Sequence, residues 1–291
     1  MDSKKTAACF AGTLAGLTLA RSFYEVHCIT AAKYNIVSEK LPPDTDLKIA
    51  FLSDLHGRTY GKNNRRLLDL VRKEEPDLIL IGGDMLTASK EEADKEVFRL
   101  LGNLKKTAPV YYAMGNHEEY LKAEAEDYPG RYKRLKKVLK YYKIPLLNNS
   151  HVDLKGNISL YGLEIPKKYY RKFMRKDLNK TQLSFLLGEP DLDRFNILLA
   201  HSPAFFESYA LWKPDLVLSG HYHGGLVRFP RLGGLISPDL KLFPKYCVGR
   251  YQKDQTDLIV SAGCGSHGVN IRLFNKPEVV VIGLSSKTVR I

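Results

Sequence analysis

The chain has 291 residues, 44% hydrophobic and 26% charged, which is ample apolar content for a core and bounds the molecule to one or two domains. Its four cysteines, Cys9, Cys28, Cys247 and Cys264, show no paired spacing, which excludes a thiolate metal site and an arguable disulfide framework. Lysine and arginine outnumber aspartate and glutamate by 45 to 32, and the resulting +13 points to anionic partners.

Residues 1–30 predict a leader and 31–291 a single catalytic domain. Residues 6–20 are apolar and uncharged behind Lys4 and Lys5, and Arg21 closes the stretch. A full membrane span needs about 20 apolar residues, so three readings stay open. One is a signal peptide, with small Thr18 and Ala20 before a cut. Another is an uncleaved signal anchor, lengthened by tilting and by snorkelling of Arg21. The third is a soluble helix packed on the domain, against which the missing polar face counts. Basic residues ahead of the stretch keep the N-terminus cytoplasmic. The expected location is therefore membrane-associated with the catalytic domain on the extracytoplasmic side, or secreted.

Further along, residues 31–36 predict an opening strand and Leu41-Pro42-Pro43 a linker. Short runs at 47–52, 78–81, 110–113, 197–200 and 216–218 are rich in Ile, Leu and Val and predict buried strands. Helices are predicted near 63–73, 91–104, 132–142 and 203–211, and further strands at 146–147, 158–162, 258–261 and 279–282. Strands and helices that alternate early and give way to a strand-rich tail suit two packed sheets flanked by helices.

Each of the five buried runs leads into polar residues: Asp54-Leu55-His56, Gly83-Asp84, Gly115-Asn116-His117-Glu118, His201, and Gly220-His221-Tyr222-His223. Ligands bind at the carboxyl edge of open α/β sheets, so separate strand ends can converge there. Imidazole nitrogen with carboxylate or amide oxygen favours Mn, Fe or Zn over Ca. Asp54 and His56 stand two apart and can aim at one ion, and Asp84 between two such sets suits a bridging role. Two ions about 3.5–4 Å apart could grip an attacking water and the oxygens of a phosphoryl group, and lower the pKa of that water. Taken singly, Gly83-Asp84 also reads as a turn and Asp54-Leu55-His56 as a helix cap. The groups at 115–118 and 220–223 are more specific, because neither turns nor caps ask for histidine there.

In this order the residues resemble the D-x-H, G-D, G-N-H-[DE], H, G-H-x-H pattern of the calcineurin-like metallophosphoesterases, and the resemblance covers roughly residues 33–285. It implies a four-layer α/β/β/α sandwich of two mixed sheets flanked by helices. It also implies two divalent ions (Mn, Fe or Zn), the first held by Asp54, His56, Asp84 and His223, the second by Asp84, Asn116, His201 and His221. His117 is then the non-ligand histidine that stabilises the transition state and protonates the leaving oxygen, work suited to imidazole. Glu118 beside it is a candidate orienting carboxylate. Segments 220–225, 227–230, 242–246 and 271–275 are similar to the membrane-associated bacterial branch. Departures are Leu226, where relatives often carry Gln, and His267, where a small residue is usual.

Two basic clusters lie at 131–142 and 167–176. The first sets Leu135, Val138, Leu139 and Tyr142 on one helical face opposite cations; the second mixes cations with Tyr169, Tyr170 and Phe173. Each cation contributes about 1 kcal/mol beside an anionic leaflet, so both clusters fit a membrane surface. For the first cluster a solvated helix face is the favoured single explanation. Nucleic acid fits less well, because no nucleic-acid fold signature accompanies the aromatics and a secretory leader would separate the two. Arg58 and Arg272 are candidate substrate contacts, since guanidinium forks match phosphate oxygens. The sequence thus reads as a binuclear-metal hydrolase, in which metal-bound hydroxide attacks a phosphodiester or pyrophosphate of a lipid-linked or envelope substrate. The alternatives are a soluble nucleotide or nucleic-acid phosphodiesterase and a non-catalytic, membrane-tethered binding module.

Overall fold

Unbroken Leu, Ile and Val runs cannot leave one face to water, so they form strands buried on both sides. The computed structural model describes residues 3–170, 177–225, 227–229, 233–234, 244–266 and 270–286. After helix α1 (Ser3–His27) its strands are β1 (Thr30–Val37), β2 (Asp46–Leu52), β3 (Leu78–Ile81), β4 (Val110–Ala113), β5 (Leu146–Leu147), β6 (Ser150–Leu154) and β7 (Ile158–Leu163). They continue as β8 (Phe195–Ala200), β9 (Leu216–Ser219), β10 (Arg228–Phe229), β11 (Gly233–Gly234), β12 (Gly249–Lys253), β13 (Thr256–Val260) and β14 (Glu278–Ser285). The other helices are α2 (Arg65–Lys73), α3 (Asp94–Lys105), α4 (Asn116–Ala123), α5 (Arg131–Tyr141), α6 (Lys180–Leu187) and α7 (Phe206–Trp212).

One six-stranded sheet has the order β1-β14-β2-β3-β4-β5 and the other β12-β13-β9-β8-β7-β6. Both are mixed: β14 runs antiparallel to β2, and β6 and β12 run antiparallel to their neighbours. The site-bearing strands are parallel within each sheet, β2 to β3 to β4 and β8 to β9, so their carboxyl ends share an edge.

Alternation along β2 shows how the layers are sorted. Ile49 and Phe51 enter a core shared with Leu80, Leu160, Leu199 and Leu218 between the sheets. Ala50 and Leu52 face the opposite way, onto Leu67, Leu101 and Leu139 of α2, α3 and α5. The second sheet's outer face packs on Leu183, Phe206 and Trp212 of α6 and α7. The result is the expected α/β/β/α sandwich. Each fully buried Leu contributes about 1.5–3 kcal/mol of transfer free energy.

Strands β3, β4 and β5 fall on the predicted spans. Helices α4 and α6 and strands β6 and β12 have no counterpart among the predicted elements: α4 begins inside the Asn116-His117 motif, and β6 and β12 carry half-exposed residues that break an apolar run. The predicted solvated face of 131–142 needs correcting at Arg131. This side chain is buried, with Nη2 donating to Asp94 Oδ1 at 2.6 Å and to Thr87 O at 2.9 Å, and Nη1 donating to Ala88 O at 2.8 Å. In the second basic cluster, residues 171–176 lie outside the described residues, as do Leu226 and His267.

α1 divides into two parts. Phe10, Leu14, Leu17 and Leu19 are exposed, Phe10 to 72%, whereas Ser22, Glu25 and Val26 are buried against the domain. Among the described residues no helix is long and apolar enough to cross a membrane, so the signal-anchor expectation finds no support in α1.

Breaking a buried ion pair strands the remaining charge at a cost of about 3–5 kcal/mol. Arg131→Met is therefore expected to lower unfolding free energy by about that amount in urea titration. A midpoint equal to that of the parent would contradict the Arg131–Asp94 assignment.

Candidate metal centre

The five strand ends converge. Asp54, His56 and His223 place ligand atoms within 4.8 Å of one another, as do Asp84, His201 and His221, and as do His56, Asp84 and His117. Asp84 belongs to two of these groups, and His56 Nε2 lies 3.7 Å from Asp84 Oδ2. Asn116 Oδ1 is 2.8 Å from His221 Nδ1. All seven expected ligands and His117 thus occupy one crevice. Proximity alone does not set His117 apart from the ligands, because it shares a group with His56 and Asp84.

Hydrogen bonds orient the rings. His201 Nδ1 donates to Gly82 O at 2.8 Å and His223 Nδ1 to Gly265 O at 3.2 Å, which turns each Nε2 inward. His56 Nε2 and His223 Nε2 face each other at 3.2 Å. His201 Nε2 is buried 3.2 Å from Asp84 Oδ2 but lacks hydrogen-bond geometry. Converging imidazole nitrogens and carboxylates, with a buried nitrogen lacking a hydrogen-bond partner, fit divalent ions of the Mn, Fe or Zn kind. His117 differs: its Nδ1 accepts from Ala88 N–H at 3.1 Å, which leaves the ring proton on Nε2.

Backbone strain gathers at the same residues. Asp54, His56, Asp84, His221 and His223 all have positive φ, between 48° and 72°. Non-glycine residues avoid this region, and each such position costs about 1–3 kcal/mol unless the surroundings fix it. Glycines admit the close approaches: a Cβ on Gly83 would lie 2.0 Å from Gly115 N, and one on Gly220 2.0 Å from Asp54 Oδ2.

Glu118 is the residue whose part the motif only hinted at. Its buried carboxylate accepts from the N–H groups of Asp84 (2.7 Å), Met85 (2.9 Å), Leu86 (3.1 Å) and Gly115 (2.9 Å), and from Tyr112 Oη at 2.8 Å. Tyr170, read from sequence only as an aromatic in a basic cluster, has its ring 5.4 Å from that of His221 and 6.5 Å from that of His201. The two arginine candidates are engaged by protein oxygens. Arg58 donates to Val26 O and Asn270 Oδ1. Buried Arg272 donates to Ala262 O, Gly265 O and Asn275 O.

The charges are set against one another. Burial pushes the Asp84 carboxyl up, but His201, His117 and His56 outweigh it and hold the group well below the usual carboxylate range. Burial lowers His201, yet Asp84 and Asp54 raise it to about 10. Burial dominates at His223, which falls to about 4 despite Asp54.

Among known proteins, the family model described as calcineurin-like phosphoesterase matches residues 47–225. The chain is 31% identical over 245 residues to an uncharacterized metallophosphoesterase of Campylobacter jejuni, covering 83% of this chain and 60% of that protein. An uncharacterized metallophosphoesterase of Helicobacter pylori is 33% identical over 276 residues, covering 92% of this chain and 67% of the relative. A Danio rerio protein named as a transmembrane protein with metallophosphoesterase domain is 30% identical over 258 residues, 84% of this chain and 55% of that one. The chain therefore spans about three fifths of the length of the Campylobacter relative.

Removing the Glu118 negative charge would turn an amide N–H₂ toward backbone donors. Glu118→Gln is expected to weaken metal binding by about 10–100-fold, read by metal-ion titration, and undiminished affinity would refute the clamp. The raised His201 stabilises the metal-free fold below its ordinary 6.5, and that contribution is lost as pH rises through about 10. Melting temperatures of chelator-treated protein should fall across this window relative to metal-loaded protein, in which the ion displaces the proton. Parallel pH profiles for the two forms would count against it.

Proposed function

The chain belongs to the calcineurin-like phosphoesterase family and is a metal-dependent phosphohydrolase, and from that premise we propose that it cleaves a phosphodiester or pyrophosphate of a lipid-linked or envelope substrate. The observation that carries the hydrolytic part is Asp84, shared between two histidine-containing groups at one sheet edge. Two divalent ions held by Asp54, His56, Asp84, His223, Asn116, His201 and His221 would supply Lewis acidity and a water nucleophile at neutral pH.

The chain's own groups do the rest. In this reading His117 donates an Nε2–H hydrogen bond to the leaving oxygen while Ala88 N–H fixes the neutral ring through Nδ1; full proton transfer uses the imidazolium, in which Nδ1 takes up a proton and releases Ala88 N–H. Arg131 steadies that loop by donating to Thr87 O and Ala88 O. The Asp84 carboxylate is aligned by His117 N–H, which donates to Oδ1 at 2.8 Å. Tyr170 forms an aromatic wall beside His201 and His221 against which a substrate's non-reacting part can rest.

The lipid part of the reading is supported by α1, whose Phe10, Leu14, Leu17, Leu19, Phe23 and Tyr24 are exposed. Arg21 and Lys276 stack on Tyr24, an arrangement suited to a headgroup region. The Danio rerio relative, named as a transmembrane protein, supports the same reading. In this reading α1 lies in the interface of an anionic membrane and the catalytic domain sits on the extracytoplasmic side.

The test is hydrolysis of lipid pyrophosphates, phospholipids, nucleotides and aryl phosphodiesters in detergent. Asp84→Ala should abolish turnover of every substrate. His117→Ala should cost about 10²–10⁴-fold on alkyl leaving groups and much less on aryl ones, which depart without a proton. Equal losses on both would refute the general-acid role, and a preference for nucleotides would refute the lipid reading.

A further inference from the structure

The inner end of α1 is joined to one metal ligand by two separate chains of hydrogen bonds. Glu25 is buried to 0% exposure in a helix whose outer part is exposed. Its Oε2 accepts from Asn275 N–H at 3.0 Å, while Oε1 accepts from Arg21 Nε at 2.7 Å. Asn275 in turn donates through Nδ2 to His223 O at 2.7 Å and to Gly225 O at 2.6 Å. The second chain starts at Ser22, whose Oγ accepts from Arg272 N–H at 3.2 Å. Arg272 Nη2 donates to Gly265 O at 2.5 Å, the same oxygen that receives His223 Nδ1–H at 3.2 Å.

Both chains end on His223, one on its backbone and one on its imidazole. His223 has φ 53°, a conformation that its surroundings must enforce. The other group is supported elsewhere, His201 by Gly82 O and Asp84 by His117 N–H and the Glu118 clamp. We propose that Glu25 and Ser22 are positioning residues for His223, so that the end of the leader helix is a structural part of one ion site and not of the other. The inference rests on the reading of His223 as a ligand.

Stepwise titration of the full chain with Co²⁺, followed by visible absorption, separates the two sites. Glu25→Ala is expected to weaken one step by about 10–100-fold and leave the other within about twofold. Glu25→Gln keeps an oxygen acceptor for Asn275 N–H and should restore the parental titration; Ser22→Ala, which loses only one acceptor, should weaken the same step by a smaller factor. Equal weakening of both steps, or none, overturns the proposal, as does failure of Glu25→Gln to rescue. His223→Ala is the separating control. If it removes one step while Glu25→Ala leaves both intact, only the positioning role fails. If it removes neither, the ligand assignment fails and the proposal with it.

Discussion

The Glu118 carboxylate accepts four backbone N–H groups and the Tyr112 hydroxyl, and it does so where water cannot reach. Three of those N–H groups belong to the Asp84-Met85-Leu86 turn after β3 and one to Gly115 after β4. A single anion therefore joins two strand ends that would otherwise be independent loops. An ionised carboxylate is the suitable group because it only accepts, and every neighbour there donates. Burial and the Asp84 charge push its carboxyl upward, while the bonds from Tyr112, Leu86 and Asp84 pull it back. The clamp thus holds its place at an electrostatic cost, offset by turns fixed in the geometry that ion binding requires.

That fixation explains how strained backbone survives at the ligands. Left-handed φ at Asp84 is tolerated because Glu118 holds its N–H, and at His221 because Asp54 accepts from its N–H at 2.9 Å. The arrangement is reciprocal, since Asp54 is itself pinned by donating to Gly83 O at 3.0 Å. Gly83 and Gly220 are demanded by this mutual closeness, because a methyl group at either would occupy the space of a neighbouring backbone or carboxylate.

What could be read from the sequence was whatever depends on local pattern. Strands such as 78–81 and 110–113 were legible because burial on both faces leaves an uninterrupted apolar run, and the ligands were legible because each run stops at its polar residues. α6 had a readable start, Asn179 and Gln182 forming a capping box, but its apolar content carries no clear helical face. The Glu118 clamp left only a faint trace, since its partners are mostly backbone groups without a side-chain signature. The docking of Glu25 left none, because its partner Asn275 lies 250 residues away. Arg272 illustrates a different loss: a guanidinium suits phosphate oxygens and backbone carbonyls equally, and only the fold reveals that carbonyls surround it.

The two buried carboxylates of the centre, Asp54 and Asp84, raise a problem of charge that the fold answers with the histidines around them. Carboxylates out of water need compensation, and His201 gives the largest share at Asp84, its Nε2 lying 3.2 Å from Asp84 and 3.8 Å from Asp54. His223 takes the opposite state, held neutral by burial, so its Nε2 keeps a lone pair for an ion. The centre is thereby asymmetric before any ion arrives. One side already has a ligand in its binding form, whereas the other must exchange a proton for a metal. Ion binding at His201 is therefore linked to release of its proton.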